Sequence, residues 1–192
     1  MVGLERSYLE GIQEASARRQ ANQTLLVLFL RRSMGNFGRA AAEHFLQDVR
    51  RHFKLGDALL LGPDIGSSVA DMLLAYDDPT GVTAAFNLNL LARINRELRG
   101  DFVLRHFEHE VRYHEVHRRI EMHLRSTKKQ TISIRAADFT CTVDEGETIW
   151  TEACHKFRIE EIPGLARRTG FLCEAQWVDT EWAFAENLLI AA

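Results

Sequence analysis

Apolar positions recur along this chain with two periods. Leu4, Tyr8, Ile12 and Ala15 fall three and four apart, which predicts an amphipathic helix over 4–19. Leu25–Leu30 (LLVLFL) is a short solid apolar run that breaks into Ser33, Gly35 and Asn36. That pattern reads as a strand buried on both faces. Ala42, Phe45, Leu46, Val49 and Phe53 form the stripe of a second helix, which Gly56 can close in a left-handed conformation. Asp57–Gly62 (DALLLG) repeats the aliphatic strand, and Pro63-Asp64 ends it. Helix, strand, helix, strand is the rhythm of a parallel α/β sheet. Such sheets bind ligands beyond the carboxyl ends of their strands, which puts the Ser33–Asn36 loop where chemistry is expected.

Ser68 and Asp71 form a capping-box pattern ahead of a helix with Val69, Met72, Leu73 and Tyr76 inward. Pro79-Thr80-Gly81 interrupts it, and residues 82–98 predict a longer helix with Ala85, Phe86, Leu90, Ile94 and Leu98 inward. The period then changes to two. Phe107, His109, Val111 and Tyr113 alternate with charged residues, as do Ile120, Met122 and Leu124. Ile132/Ile134, Phe139/Cys141/Val143 and Ile149–Phe157 continue in the same way, which predicts a half-buried antiparallel sheet. From Ile159 a helix is expected up to Gly170, weakened by Pro163-Gly164, then strands near Phe171–Val178 and Phe184–Ile190. The chain therefore divides as an α/β frame over 1–66, an insertion over 67–156 and a return to the frame over 157–192.

A length of 192 residues with 46% hydrophobic residues suits one domain carrying an insertion. The net charge of −3 offers no basic surplus for nucleic acid or an anionic membrane. No stretch approaches the ~20 apolar residues of a membrane helix, and Met1–Glu10 does not have the pattern of a signal sequence. Cys141, Cys154 and Cys173 are odd in number and lack CxxC spacing, as reduced thiols of a cytoplasmic protein would.

Candidate chemistry is sparse. In the Ser33–Asn36 loop, Asn36 either contacts a ligand or caps the helix starting near Arg39. His106, His109, His114 and His117 are crowded in sequence, but strand alternation sends His109 and His114 to opposite faces, unlike tetrahedral metal ligands. No metal is expected. In the strand Ile149–Phe157, Trp150, Glu152, Cys154 and Lys156 share one face. Glu152 either lines a pocket or pairs with Lys156 on a solvated face, the ion pair being the plainer reading. Cys154 is read as a small buried residue rather than a nucleophile, because the adjacent His155 points to the other strand face. Neither Gly35–Gly38 nor Gly62–Gly66 has the GxGxxG spacing of a nucleotide loop.

Taken together, SMGNF after an apolar strand, GDALLLGPD, AYDDPTGVTAAFN, INREL, RIEMHLRS and TEACHKFR resemble, in this order, the SAM-dependent L-histidine Nα-methyltransferases of ergothioneine biosynthesis. The resemblance runs from about Tyr8 to the C-terminus. It implies the C-terminal half of a Rossmann-like methyltransferase sheet with an inserted α+β substrate domain. It implies S-adenosyl-L-methionine as methyl donor and the α-amino group of histidine or a related amino acid as acceptor, giving hercynine in the case of histidine; the alternative is a catalytically inactive fragment or substrate-binding module that cannot bind the donor alone.

By the same resemblance Asn36 and Tyr76 would hold the substrate carboxylate, Met122 would line the imidazole pocket and Glu152 would bind an imidazole N–H. The family's serine two residues after that glutamate is replaced by Cys154, a weaker hydrogen-bond partner. The family's first three strands, with the glycine loop and acidic residue that grip the donor, have no counterpart here. Leu25–Leu30 would then be an exposed apolar edge, as in a fragment, a truncated gene model or half of a split enzyme whose N-terminal half another chain supplies.

Overall fold

The computed structural model describes residues 3–20, 22–181 and 183–192. Two compact units emerge, one made of residues up to Ser67 together with His155–Ala192, the other of Ser68–Cys154.

The first unit is built on a four-stranded sheet. Helix α1 (Tyr8–Ala17) precedes β1 (Leu26–Phe29), helix α2 (Arg39–Arg51) and β2 (Ala58–Leu61). Helix α5 (Glu161–Arg168) and the hairpin β8 (Phe171–Asp179) and β9 (Phe184–Ala191) complete it, in the order β1-β2-β9-β8. Only β1 and β2 run parallel; β9 is antiparallel to both of its neighbours. The shorter α1 begins where Ser7 and Glu10 close a capping box. Phe29, Leu59, Leu61, Leu189 and Ala191 pack with Ala42, Phe45, Leu46 and Val49 of α2 and Ile162, Leu165 and Ala166 of α5.

The strand expected to be buried on both faces is not. In β1 the burial alternates, and Leu26 and Leu28 are each 56% exposed. Cross-strand register places Leu26, Ala58, Ile190 and Leu172 in one row of the same sheet face, and Leu172 is also 56% exposed. Among the described residues of this unit the helices bury the opposite face, and β1 is an edge strand.

Helix α2 ends at Arg51, short of the expected stop. Gly56, at φ +83°, instead serves the turn into β2, where its amide donates to the Ala191 carbonyl at 3.1 Å. The next residue, Asp57, is 2% exposed and clamps three segments. It accepts from the amides of Leu25 (2.9 Å) and Lys54 (2.7 Å) and from the buried Arg19 guanidinium.

The second unit holds helices α3 (Val69–Tyr76) and α4 (Val82–Leu98) and strands β3 (Phe107–His114), β4 (Arg119–Ser126), β5 (Gln130–Ile134), β6 (Phe139–Val143) and all but the last residue of β7 (Thr148–His155). The alternating segments do not make one sheet. Strands β3-β4-β7 form one, and the β5-β6 hairpin is a separate two-stranded sheet. Leu91, Phe102, Phe107, Leu124, Ile132 and Val143 form the core.

Two burial patterns differ from expectation. Helix α4 turns Asn87 and Leu91 inward, with Leu88 and Ile94 packed beside them, while Phe86 is 66% exposed and Leu90 and Leu98 are also exposed. Helical spacing alone allowed a stripe rotated by one position. Strand β4 is not half-buried: it is the middle strand of three, and Glu121 and His123 are buried along with Ile120, Met122 and Leu124.

The turn between α3 and α4 is fixed by Asp78. It accepts from the amides of Val82 (3.1 Å) and Thr83 (2.8 Å) and from the Thr80 hydroxyl. Bonds from the Thr80 and Thr83 side chains lead the causes that hold its carboxyl far below the usual carboxylate range. Gly81 follows at φ +72°, a conformation that costs an L side chain about 1–2 kcal/mol. The DDPTG stretch is thus a helix-capping device.

Candidate substrate site

Asn36 lies in the first unit, at the end of a 3-10 turn (Arg31–Asn36) that follows β1. It does not cap α2, because Gly38 holds the N-cap position. Its neighbours anchor it: Met34 is fully buried, and the Phe37 ring stacks on Phe45 with centroids 5.0 Å apart. The asparagine itself is exposed at the carboxyl end of a parallel strand, with its amide free of the capping role.

Tyr76, Met122, Glu152 and Cys154 belong to the second unit. Tyr76 is the last residue of α3 and half-buried; its carbonyl oxygen lies 2.9 Å from His109 Nε2. Met122 is buried in β4 opposite Val111 of β3, and its carbonyl accepts the Thr151 hydroxyl at 2.9 Å. Glu152 is half-buried in β7 and lines a cavity of about 240 Å³ with Thr151 and with Phe86, Asn87, Asn89, Leu90 and Arg93 of α4. Tyr76, Met122 and Cys154 do not line that cavity. Cys154, 4% exposed, is buried in β7.

The ion pair weighed for Glu152 does not form. Lys156 lies just beyond β7, 2% exposed, and its Nζ donates to Asp64 Oδ2 at 2.7 Å. Asp64, at the end of β2, also accepts the Gly66 amide at 2.9 Å. Glu152 therefore keeps its carboxylate for the cavity, which pairs an acid with an aromatic wall and two side-chain amides.

Sequence reasoning missed a polar set on β4. Arg119 donates to Glu121 at 2.7 Å, and His123 Nε2 lies 3.1 Å from the other Glu121 oxygen. Burial by itself raises the Glu121 pKa, but Arg119 and His123 outweigh it and hold the carboxyl below its ordinary value. The Arg119 guanidinium sits 4.7 Å over the Trp150 ring. The signal available was the polar half of an alternating strand, which reads as solvent-facing unless the strand is known to be central.

The crowded histidines separate. His109 bonds to Asn87 and Tyr76, whereas the His114 and His117 rings tilt against each other 4.5 Å apart. Among the described residues no set of three His, Cys, Asp or Glu side chains is placed to hold a metal ion. Also among them, no helix is long and apolar enough to cross a membrane.

The motifs on these elements are those of a SAM-dependent methyltransferase. A family described as "Histidine-specific methyltransferase, SAM-dependent" matches residues 1–191, and the chain belongs to that family. The histidine N-alpha-methyltransferase of Mycobacterium tuberculosis is 38% identical over 163 residues, which is 85% of this chain and 51% of the relative. Ergothioneine biosynthesis protein 1 of Schizosaccharomyces pombe is 36% identical over 78 residues, 41% of this chain and 10% of the relative. A SAM-dependent methyltransferase structure from Clostridium acetobutylicum aligns at a TM-score of 0.46 with 9% identity, over 92% of this chain and 62% of that one. The chain spans about half the length of the bacterial relative it matches.

Proposed function

We propose that this chain supplies the amino-acid-recognising part of an enzyme that methylates the α-amino group of L-histidine or a related amino acid, in ergothioneine biosynthesis, with S-adenosyl-L-methionine as donor. The observation that carries the reading is Glu152. A half-buried carboxylate beside an aromatic ring in a cavity of about 240 Å³ suits a small planar side chain bearing an N–H. Membership of the family supports the acceptor class. Asn36 and Tyr76 hold the substrate carboxylate in this reading. Glu152 takes the N–H; Met122 and Cys154, which stand outside that cavity, are assigned to the side chain by the family's motifs, Cys154 as a weaker second contact. Holding the amine in one orientation and away from water is these residues' share of the rate enhancement.

The described residues do not by themselves fit the methyl donor. The carboxyl end of β1 leads into a 3-10 turn rather than a glycine loop, and Asp64 at the end of β2 is taken up by Lys156 and Gly66. The donor's site therefore needs residues other than these, and we assign them to an N-terminal half, on the same or another chain. The exposed row of Leu26 and Leu172 and the open edge of β1 are the surfaces such a half would cover. Three cysteines without CxxC spacing fit a reducing compartment, the cytoplasm.

Calorimetry tests both parts. The 192-residue chain is expected to give no saturable heat with S-adenosyl-L-methionine; tight binding would overturn the assignment of the donor site elsewhere. Glu152→Gln is expected to weaken L-histidine binding about 10–100-fold, the worth of a hydrogen bond to a charged group. Cys154→Ser should sharpen the preference for histidine over other amino acids, since a hydroxyl is the better partner. An unchanged preference in that variant removes Cys154 from the pocket.

A further inference from the structure

The second unit buries a hydrogen-bonded chain that begins at Asn87, one of the residues lining the Glu152 cavity, and leads away from it. Asn87 is 3% exposed, and its amide nitrogen lies 2.9 Å from His109 Nδ1 and 3.1 Å from the His123 carbonyl oxygen. His109 Nε2 lies 2.9 Å from the carbonyl oxygen of Tyr76. A carbonyl only accepts, so Nε2 carries the ring proton and Nδ1 accepts from Asn87. Both Asn87 amide hydrogens are then used, one on His109 and one on β4. Only one neutral tautomer satisfies all three bonds.

This chain ends on the residue that matters. Tyr76 closes α3, and the last carbonyls of a helix have no partner within it. Helix α3 has eight residues, of which only Met72 is buried, so packing and length hold it weakly. A side chain from β3 bonded to its last carbonyl fixes that terminal turn on the sheet. We infer that His109, with its tautomer set by Asn87, is a positioning residue that places Tyr76 for the substrate's carboxylate. The inference rests on the role given to Tyr76 above.

The test uses the full chain and two probes, L-histidine and histamine, which lacks the carboxylate. His109→Gln keeps a donor and an acceptor; His109→Leu keeps neither. His109→Leu is expected to weaken L-histidine binding about tenfold and leave histamine binding unchanged, with His109→Gln near the wild type. An unchanged L-histidine affinity in His109→Leu, or an equal loss for both probes, overturns the inference. Tyr76→Phe separates the two layers. If it leaves L-histidine affinity unchanged, or if the wild type does not bind L-histidine, the role of Tyr76 falls and His109's with it. If Tyr76→Phe weakens binding and His109→Leu does not, only the inference falls. Nitrogen-15 NMR of the imidazoles is the readout that needs no ligand. The Nε2–H tautomer is expected for His109, and the Nδ1–H tautomer overturns the proposal.

Discussion

Replacing Lys156 by Met is expected to destabilise the first unit by about 3–5 kcal/mol. The substitution keeps the apolar stem and removes the ammonium, so Asp64, 4% exposed, loses its 2.7 Å ion pair with Lys156. The Gly66 amide still bonds to the other Asp64 oxygen, which does not offset the lost charge. Lys156 also sits in a local scaffold. Its carbonyl accepts Arg39 at 2.7 Å, and the same guanidinium stacks 4.1 Å over Phe157. Chemical denaturation measures the effect, and the double variant Asp64→Leu/Lys156→Met serves as the control. That pair should recover most of the loss, because two apolar groups leave no charge stranded. A single variant within about 1 kcal/mol of wild type would show the pair to be worth no more than a surface ion pair.

Asp57→Asn is expected to cost a similar amount, about 3 kcal/mol or more, because Arg19 is left buried without its counter-charge. The wild-type protein carries the matching acid sensitivity. Burial alone raises the Asp57 pKa. The Leu25 amide, Arg19 and the Lys54 amide outweigh it, and the carboxyl is held below its ordinary value of 3.8. A depressed folded-state pKa gives stability that is present above pH 3.8 and lost as pH falls through the folded value. Stability measured from pH 5 downward should therefore decline below about pH 4 in the wild type and less steeply in Asp57→Asn. Parallel curves for the two proteins would show that Asp57 is not the group being titrated.

Much of the local structure was legible in the residues. The Ser68 cap, the α2 stripe and the closing β8-β9 hairpin follow from near neighbours, and the helical and strand periods report them directly. The buried stripe of α4 lies one position from the one its apolar spacing predicts, since Phe86 and Leu90 are apolar yet exposed while the polar Asn87 is buried. A buried asparagine breaks the hydrophobic pattern, and only its bonds to His109 and His123 explain it. The candidate site was legible mainly through its motifs, which name Asn36, Tyr76, Met122, Glu152 and Cys154 but not what each touches.

What the sequence determined by itself is the set of elements, the change of period that separates the two kinds of structure, and membership of the methyltransferase family. The tertiary structure decided which charges pair. Lys156 stands four positions from Glu152 yet joins Asp64, 92 positions away, and Arg19 reaches Asp57 across 38. It also decided that β1 exposes one face while β4 buries both. The physical reason is common to all of these. Periodicity and capping are set by residues within a turn or two, whereas burial and ion pairing depend on which segment covers which face. In the first unit that leaves the apolar row beside β1 bare, and in the second it leaves Glu152 facing a cavity with its carboxylate unspent.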